Sequence, residues 1–208
     1  MCDIIVSYSK GDFNMYRIRK YQPSDRERLR YIAKQTAWKS YQKTEKKAET
    51  VAIMYNDYFT KYESENIFVA VDDNDIPVGY VICSTDYEKF VQKSDEEFLP
   101  QARKLYRPIK FVHIGLMHAL NSIKLPEHRV HFHIDLLPEA QRQGLGTALL
   151  DELCKHLYNN GFEYLSACGV NRFAGSYKFY KKYGFVTCRN HIIGTATMLL
   201  HTKEKQNG

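Results

Sequence analysis

Leu136-Leu137-Pro138-Glu139-Ala140-Gln141-Arg142-Gln143-Gly144-Leu145-Gly146-Thr147 is the stretch on which the reading of this chain turns. Val130 to Leu137 reads as a strand, Pro138 ends it, and two glycines open a helix expected over Gly144 to Asn159. Leu145, Leu149, Leu153 and Leu157 share one face of that helix, and Gly161 stands just past its end, where a left-handed residue is wanted. Glycine has no Cβ, so the backbone can approach an anion closely. The free N–H groups and the dipole of a helix start then favour phosphate. Arg142 adds positive charge. A P-loop would close on Gly-Lys-Ser/Thr, which is missing here. A Rossmann turn would carry a third glycine at 149, which is Leu149, and would lie early in the chain. A bare G-x-G also suits a purely structural turn.

Outward from this turn, Tyr164 to Cys168 reads as a strand, and about residues 174–183 as a short helix ended by Gly184. Phe185 to Cys188 and Thr195 to His201 read as two more strands. Upstream, Met15 to Tyr21 alternates enough to be a strand. Pro23-Ser24-Asp25-Arg26-Glu27 then opens a helix, with Ser24 expected as its cap and Glu27 completing a capping box. Leu29, Ile32 and Ala33 lie on one face of it. A second helix is expected over about residues 43–60. Ile67 to Val71 and Val78 to Cys83 are rich in β-branched and aromatic residues, and Asp72-Asp73-Asn74-Asp75 between them makes a hairpin turn. The first fourteen residues are expected to be an irregular extension. A single domain then runs from 15 to 208, with an insertion at about 86–126. There Phe90, Val91 and Glu96 to Leu105 suggest helix, and Phe111 to Ile123 suggests a buried helix or strand. Strands alternating with helices place the domain in the α/β class.

The 208 residues are 44% apolar and 13% aromatic, with 16 tyrosines, which argues against disorder. A net charge of +6 is spread along the chain and suits an anionic ligand, while no base-reading motif points to nucleic acid. The five cysteines are scattered and never in C-x-x-C spacing, so neither a disulfide framework nor a zinc ribbon is expected. No run of about 18 apolar residues is present and the first fourteen residues carry no long apolar run, so a cytoplasmic protein without membrane contact is expected.

His131, His133 and Asp135 alternate with Phe132, Ile134 and Leu136, so a strand there turns three polar groups to one side. Such a row on a central strand needs partners, because burying polar groups unbonded is costly. One reading is a proton relay, for which histidine, with a pKa near 6.5 by nature, is suited. The other is a hydrogen-bonded polar face. His-x-His on a strand could place two imidazoles on one ion, but no third ligand is evident and no metal is expected.

Gln141-Arg142-Gln143-Gly144-Leu145-Gly146, with its preceding strand and Leu-rich helix, resembles the Gln/Arg-x-x-Gly-x-Gly/Ala turn of the GNAT superfamily of N-acetyltransferases. Ser176-Tyr177-Lys178-Phe179-Tyr180-Lys181-Lys182-Tyr183-Gly184-Phe185 is similar to the family's "FY-x-K-x-GF" helix end. Ile18-Arg19 through Ala33 and the 68–81 hairpin mirror its first elements. The resemblance covers about residues 15–201 and is weakest over 86–126. It implies a GNAT fold: a mixed, mostly antiparallel sheet flanked by helices, with the fourth and fifth strands splayed around the arm of acetyl-CoA. Carried over by position, backbone groups of Leu136 and Leu137 would meet the pantetheine. Gln141 and the backbone from Arg142 through Gln143, Gly144, Leu145 and Gly146 to Thr147 would hold the pyrophosphate. Asn171, Ser176 and Tyr180 would line the other side. The family usually has an Asn seven residues before the tyrosine; that position is Phe173 here, and Asn171 lies nine before.

Acetyl transfer to an amine needs a base for the amine and an acid for the leaving thiolate, and no protein nucleophile if transfer is direct. The resemblance makes Tyr180 the acid. Asp135 or His133 is the candidate base, in the absence of the Glu that many such enzymes carry near the start of this strand. The expected function is acetyl transfer from acetyl-CoA, as co-substrate, to a primary amine of a small molecule or peptide. Lys181 and Lys182 read first as a solvated face and alternatively as charges that draw in the anionic CoA, and Glu96 and Glu97 of the insertion as groups to meet a cationic amine. The alternative is a GNAT-folded acetyl-CoA-binding module of weak or no activity, since His133 to Glu139 is similar to acetyltransferase-like domains appended to bacterial O-GlcNAcase-type proteins. A homodimer through the late strands is a further reading.

Overall fold

The structure is a computed structural model that describes residues 4–6, 15–105, 130–191 and 194–205. Eight strands among these residues form one sheet: β1 (Ile4–Val6), β2 (Tyr16–Lys20), β3 (Ile67–Val71), β4 (Pro77–Ser84), β5 (His131–Leu136), β6 (Tyr164–Asn171), β7 (Val186–Asn190) and β8 (Thr195–His201). Their order is β1-β2-β3-β4-β5-β6-β8-β7. Only β5 and β6 run parallel. A parallel pair needs a crossover, and the long helix between them provides it.

The β5–β6 pairing has a single register point, His131 opposite Ser166, where Ser166 N–H donates to the Val130 carbonyl at 2.8 Å. Beyond it the ladder stops although both strands continue, and β6 carries an irregularity between Ala167 and Val170. This is the expected splay of fourth and fifth strands, counted one later because Ile4–Val6 is itself a strand paired with β2. The extension expected to be irregular therefore contributes an edge strand.

The helices divide between the two faces. On one lie α6 (Leu145–Asn159) and α7 (Gly175–Tyr183); on the other lie α1 (Arg26–Thr36), α2 (Glu45–Tyr55), α3 (Asp57–Tyr62), α4 (Tyr87–Lys93) and α5 (Leu99–Leu105), with a π-helical turn at Ser94–Phe98 joining the last two. Each face has its own core. Leu149, Leu150, Leu153 and Leu157 of α6 are fully buried against Val81, Phe132, Leu165 and Met198. Leu29 and Ile32 of α1 pack with Phe59, Val69, Tyr80 and Ile82. Each such side chain contributes about 1.5–3 kcal/mol on burial.

Two local readings are corrected. The cap before α1 is not Ser24: Pro23–Asp25 is a 3-10 turn, and the Asp25 carboxylate accepts the Gln22 N–H at 2.8 Å while pairing with buried Arg19 at 2.7 Å. The single helix expected over 43–60 is broken at Asn56 (φ −134°, ψ −44°) into α2 and α3. The expectation for Phe111 to Ile123 lies outside the described residues. Among those that are described, no helix is long and apolar enough to cross a membrane.

Candidate functional site

After β5 the chain makes one 3-10 turn at Pro138–Ala140. The Gln141 side-chain amide donates back to the Leu136 carbonyl at 2.9 Å, and that of Gln143 to the Glu139 carbonyl at 2.6 Å. The loop is thus braced by its own glutamines, with Arg142 held at φ 63° and Gly144 at φ 79°. A left-handed backbone costs an L-residue about 1–2 kcal/mol, which Gly144 avoids and Arg142 bears. Gly144 is the N-cap of α6, and no side chain caps it. The first N–H groups of this helix have no intrahelical acceptor, so the helix start is a seat for an anion.

A cleft of about 1300 Å³ opens beside that seat. Gly144, Gly146 and Thr147 line one end, and Asp135 and Leu136 of β5 line its floor. Ser176 and Tyr180 of α7 form a wall. Gln141 and Arg142 also border it, with Lys155 of α6 and Lys182 of α7 adding positive charge and Asp151 and Glu152 of α6 negative charge. The residues present therefore fit a long ligand with phosphates at one end. Gly79 of β4 lies beneath: a Cβ there would stand 2.1 Å from Leu136 Cδ2 and 2.9 Å from the Asp135 carbonyl, so only glycine lets β4 and β5 close at this level.

Other residues singled out in the sequence lie elsewhere. His133 is on the cleft's strand but packs edge-on to Tyr55 at 5.4 Å and Phe59 at 5.7 Å. Leu137 buries its side chain in the α1–α5 core and donates its N–H to the Val78 carbonyl at 2.9 Å. Leu145 is buried under α6, leaving only its backbone at the helix start. Asn171 accepts the Phe173 N–H at 2.9 Å, so its side chain closes its own turn and is not in the cleft lining. Phe173 is 85% exposed. Lys181 lies over the Tyr177 ring at 5.7 Å, away from the lining that Lys182 joins. Glu96 is tied to Lys93 at 2.9 Å and Glu97 to Lys61 at 2.5 Å, and neither lines the cleft.

Of the acid–base candidates read from the sequence, Asp135 and Tyr180 line the cleft, which Asp151, Glu152 and Tyr183 also border. Burial raises the Asp135 carboxyl above its ordinary value, and hydrogen bonds from Tyr80 and Thr36 oppose the rise. Tyr80 Oη donates to Asp135 Oδ2 at 2.7 Å. Tyr180 packs edge-on to Phe132 at 5.6 Å. Burial first, then the charge of Asp135, pushes its phenol well up, so it stays protonated near neutrality. Thr36, Tyr80 and Lys155 were missed in the sequence. For Tyr80 a signal existed: a tyrosine in an apolar strand needs a partner for its hydroxyl. Among the described residues, no group of three His, Cys, Asp or Glu side chains is placed to hold a metal.

The model of the acetyltransferase (GNAT) family matches residues 30–185. No curated protein matches the chain. Among solved structures, that of SsHAT is 25% identical with a TM-score of 0.75, covering 90% of this chain and 98% of its own. PaiA N-acetyltransferase from Thermoplasma acidophilum, solved in complex with coenzyme A, is 15% identical with a TM-score of 0.56, over 89% of this chain and 98% of its own. Ard1 from Thermoplasma volcanium is 16% identical with a TM-score of 0.52, over 89% and 98%. The last two speak for the fold alone.

Proposed function

The chain belongs to the acetyltransferase (GNAT) family, and on that premise we propose that it moves an acetyl group from acetyl-CoA directly to a primary amine of a small molecule or peptide in the cytoplasm. One observation carries the acid–base part: Asp135 and Tyr180 border the same cleft as the uncapped start of α6. Acetyl-CoA supplies the activated acyl group. The N–H groups of the helix start, with Arg142, hold its pyrophosphate. Lys155 and Lys182 meet its remaining phosphate charge, with Asp151 and Glu152 beside them in the lining. Asp135, with its raised proton affinity, takes the proton from the attacking amine. Tyr180, which stays protonated, returns one to the departing sulfur. His133, packed among aromatic rings off the cleft, is left out of the proton path.

The test has two stages. Acetyl-CoA is titrated while the unfolding midpoint is followed, and thiol release is then measured over a panel of amines. A rise in midpoint with thiol release from at least one amine is expected. No rise would sink the cofactor assignment. A rise without thiol release from any amine would favour a binding module.

A further inference from the structure

We propose that Tyr80 is a positioning residue for Asp135: its hydroxyl, backed by Asn56 from the interior, holds the carboxylate toward the cleft. The inference rests on the reading of Asp135 as the base and adds the device that sets it.

The geometry begins with register. Tyr80 of β4 lies directly opposite Asp135 of β5, so their side chains share a face. That face is the α1–α5 side, where Tyr80 is fully buried with Ile82 and Val69. Its hydroxyl therefore cannot turn to water, and it donates to Asp135 Oδ2 at 2.7 Å. Behind it stands Asn56, also fully buried, at the break between α2 and α3. The Asn56 amide acts on the Tyr80 phenol, lowering its pKa against the effect of burial, and among the described residues its polar atoms make no hydrogen bond of good geometry, to Tyr80 or to any other group. This gives a chain interior amide, phenol, carboxylate, cleft. Burial, then the charge of Asp135, drives the Tyr80 phenol far above its ordinary value, so it donates at every working pH and never competes for the amine's proton. The polar groups facing Asp135 are Tyr80 from β4, Thr36 from α1 and, across the cleft, Tyr180 from α7. Thr36 also donates to the Ile32 carbonyl at 2.9 Å, so its hydroxyl is divided. The Tyr80 hydroxyl is the partner whose proton goes to Asp135, at 2.7 Å.

The experiment reads Asp135 itself. Protein labelled at the aspartate carboxyl carbon is titrated by NMR, with the Asp135 signal assigned by its loss in Asp135→Asn. Tyr80→Phe, which removes only the hydroxyl, is expected to raise the Asp135 midpoint by about one pH unit, a tenfold change in proton affinity. With the amine giving the fastest thiol release, the acidic limb of kcat/KM should move up equally while the KM for acetyl-CoA holds. In the Asp135→Asn background the same substitution should cost no further activity. An unmoved midpoint in Tyr80→Phe overturns the inference. Full activity of Asp135→Asn overturns instead the reading of Asp135 as base. Should Tyr80→Phe fail to fold, Asn56→Ala leaves the phenol present but unbacked. It is expected to raise the midpoint by a smaller step, and no shift there overturns the inference.

Discussion

Gly144 stands at φ 79° on an uncapped helix start, so an added side chain is strained there and lies over the anion seat. Gly144→Asp is expected to abolish acetyl-CoA binding, through steric conflict and like charge, in a titration of the unfolding midpoint. Affinity retained at the wild-type level would remove the pyrophosphate assignment. Tyr180 is 8% exposed and packed between Phe132 and Phe185, so Tyr180→Phe leaves the packing in place and removes one hydroxyl. It is expected to lower kcat by about 10²-fold, the low end for a positioned general acid, with little change in KM. An unchanged kcat in steady-state thiol release would leave Tyr180 as packing. These two residues were legible in the sequence because short patterns carry them. Asn171 was not: only its bond to the Phe173 N–H shows that its side chain belongs to its own turn.

At the scale of elements, the junction between α3 and the end of β4 is fastened by one carboxyl group. Glu63 accepts from Tyr58 Oη and Ser84 Oγ, each at 2.6 Å, and from Thr85 N at 2.7 Å and Thr85 Oγ1 at 2.9 Å. It is 3% exposed, so removing it strands donors from two segments, α3 and the end of β4. Glu63→Ala is expected to destabilise the fold by about 3 kcal/mol in urea unfolding, without a matching loss of acetyl-CoA affinity per folded molecule. A change under about 0.5 kcal/mol would mean that the pocket refills with water. Nothing in the local pattern of Glu63 marks it as buried, since it follows a helix like any solvated glutamate. Helix α6 was readable because its leucines recur at helical spacing over more than three turns, and α1 because Leu29, Ile32 and Ala33 share one face. The break at Asn56 was not, because apolar residues continue on both sides of it.

At the scale of the molecule, stability at acid pH depends on a histidine in the last turn of α6, where that helix meets β2 and the start of β3. His156 of α6 bonds Asn66 Oδ1 at 2.9 Å through Nε2, and its Nδ1 is 3.3 Å from Lys20 Nζ. Burial, then the Lys20 charge, lowers its pKa from 6.5 to about 4. The unfolded chain therefore takes up this proton first as pH falls. Its contribution is intact above pH 6.5 and is lost progressively as pH falls toward 4. The unfolding midpoint should drop through that window, and in His156→Gln the drop should be shallower by up to about one proton per molecule. Equal slopes in the two proteins would show that His156 is solvated in the fold.

The sequence by itself determined the strand-turn-helix that seats an anion, the alternation of β5 and the aromatic end of α7, because each depends on periodicities or glycines within about a dozen residues. From these followed the α/β class and the family resemblance. What only the tertiary structure decided is which polar groups meet. Asp135 and His133 are equivalent in the strand pattern, yet Asp135 borders the cleft and His133 is held among aromatic rings. Tyr80 reaches Asp135 from 55 residues away. Contacts of that range are set by strand register and by which helix covers which face, and both are settled by packing the whole sheet at once, not by any local run of residues.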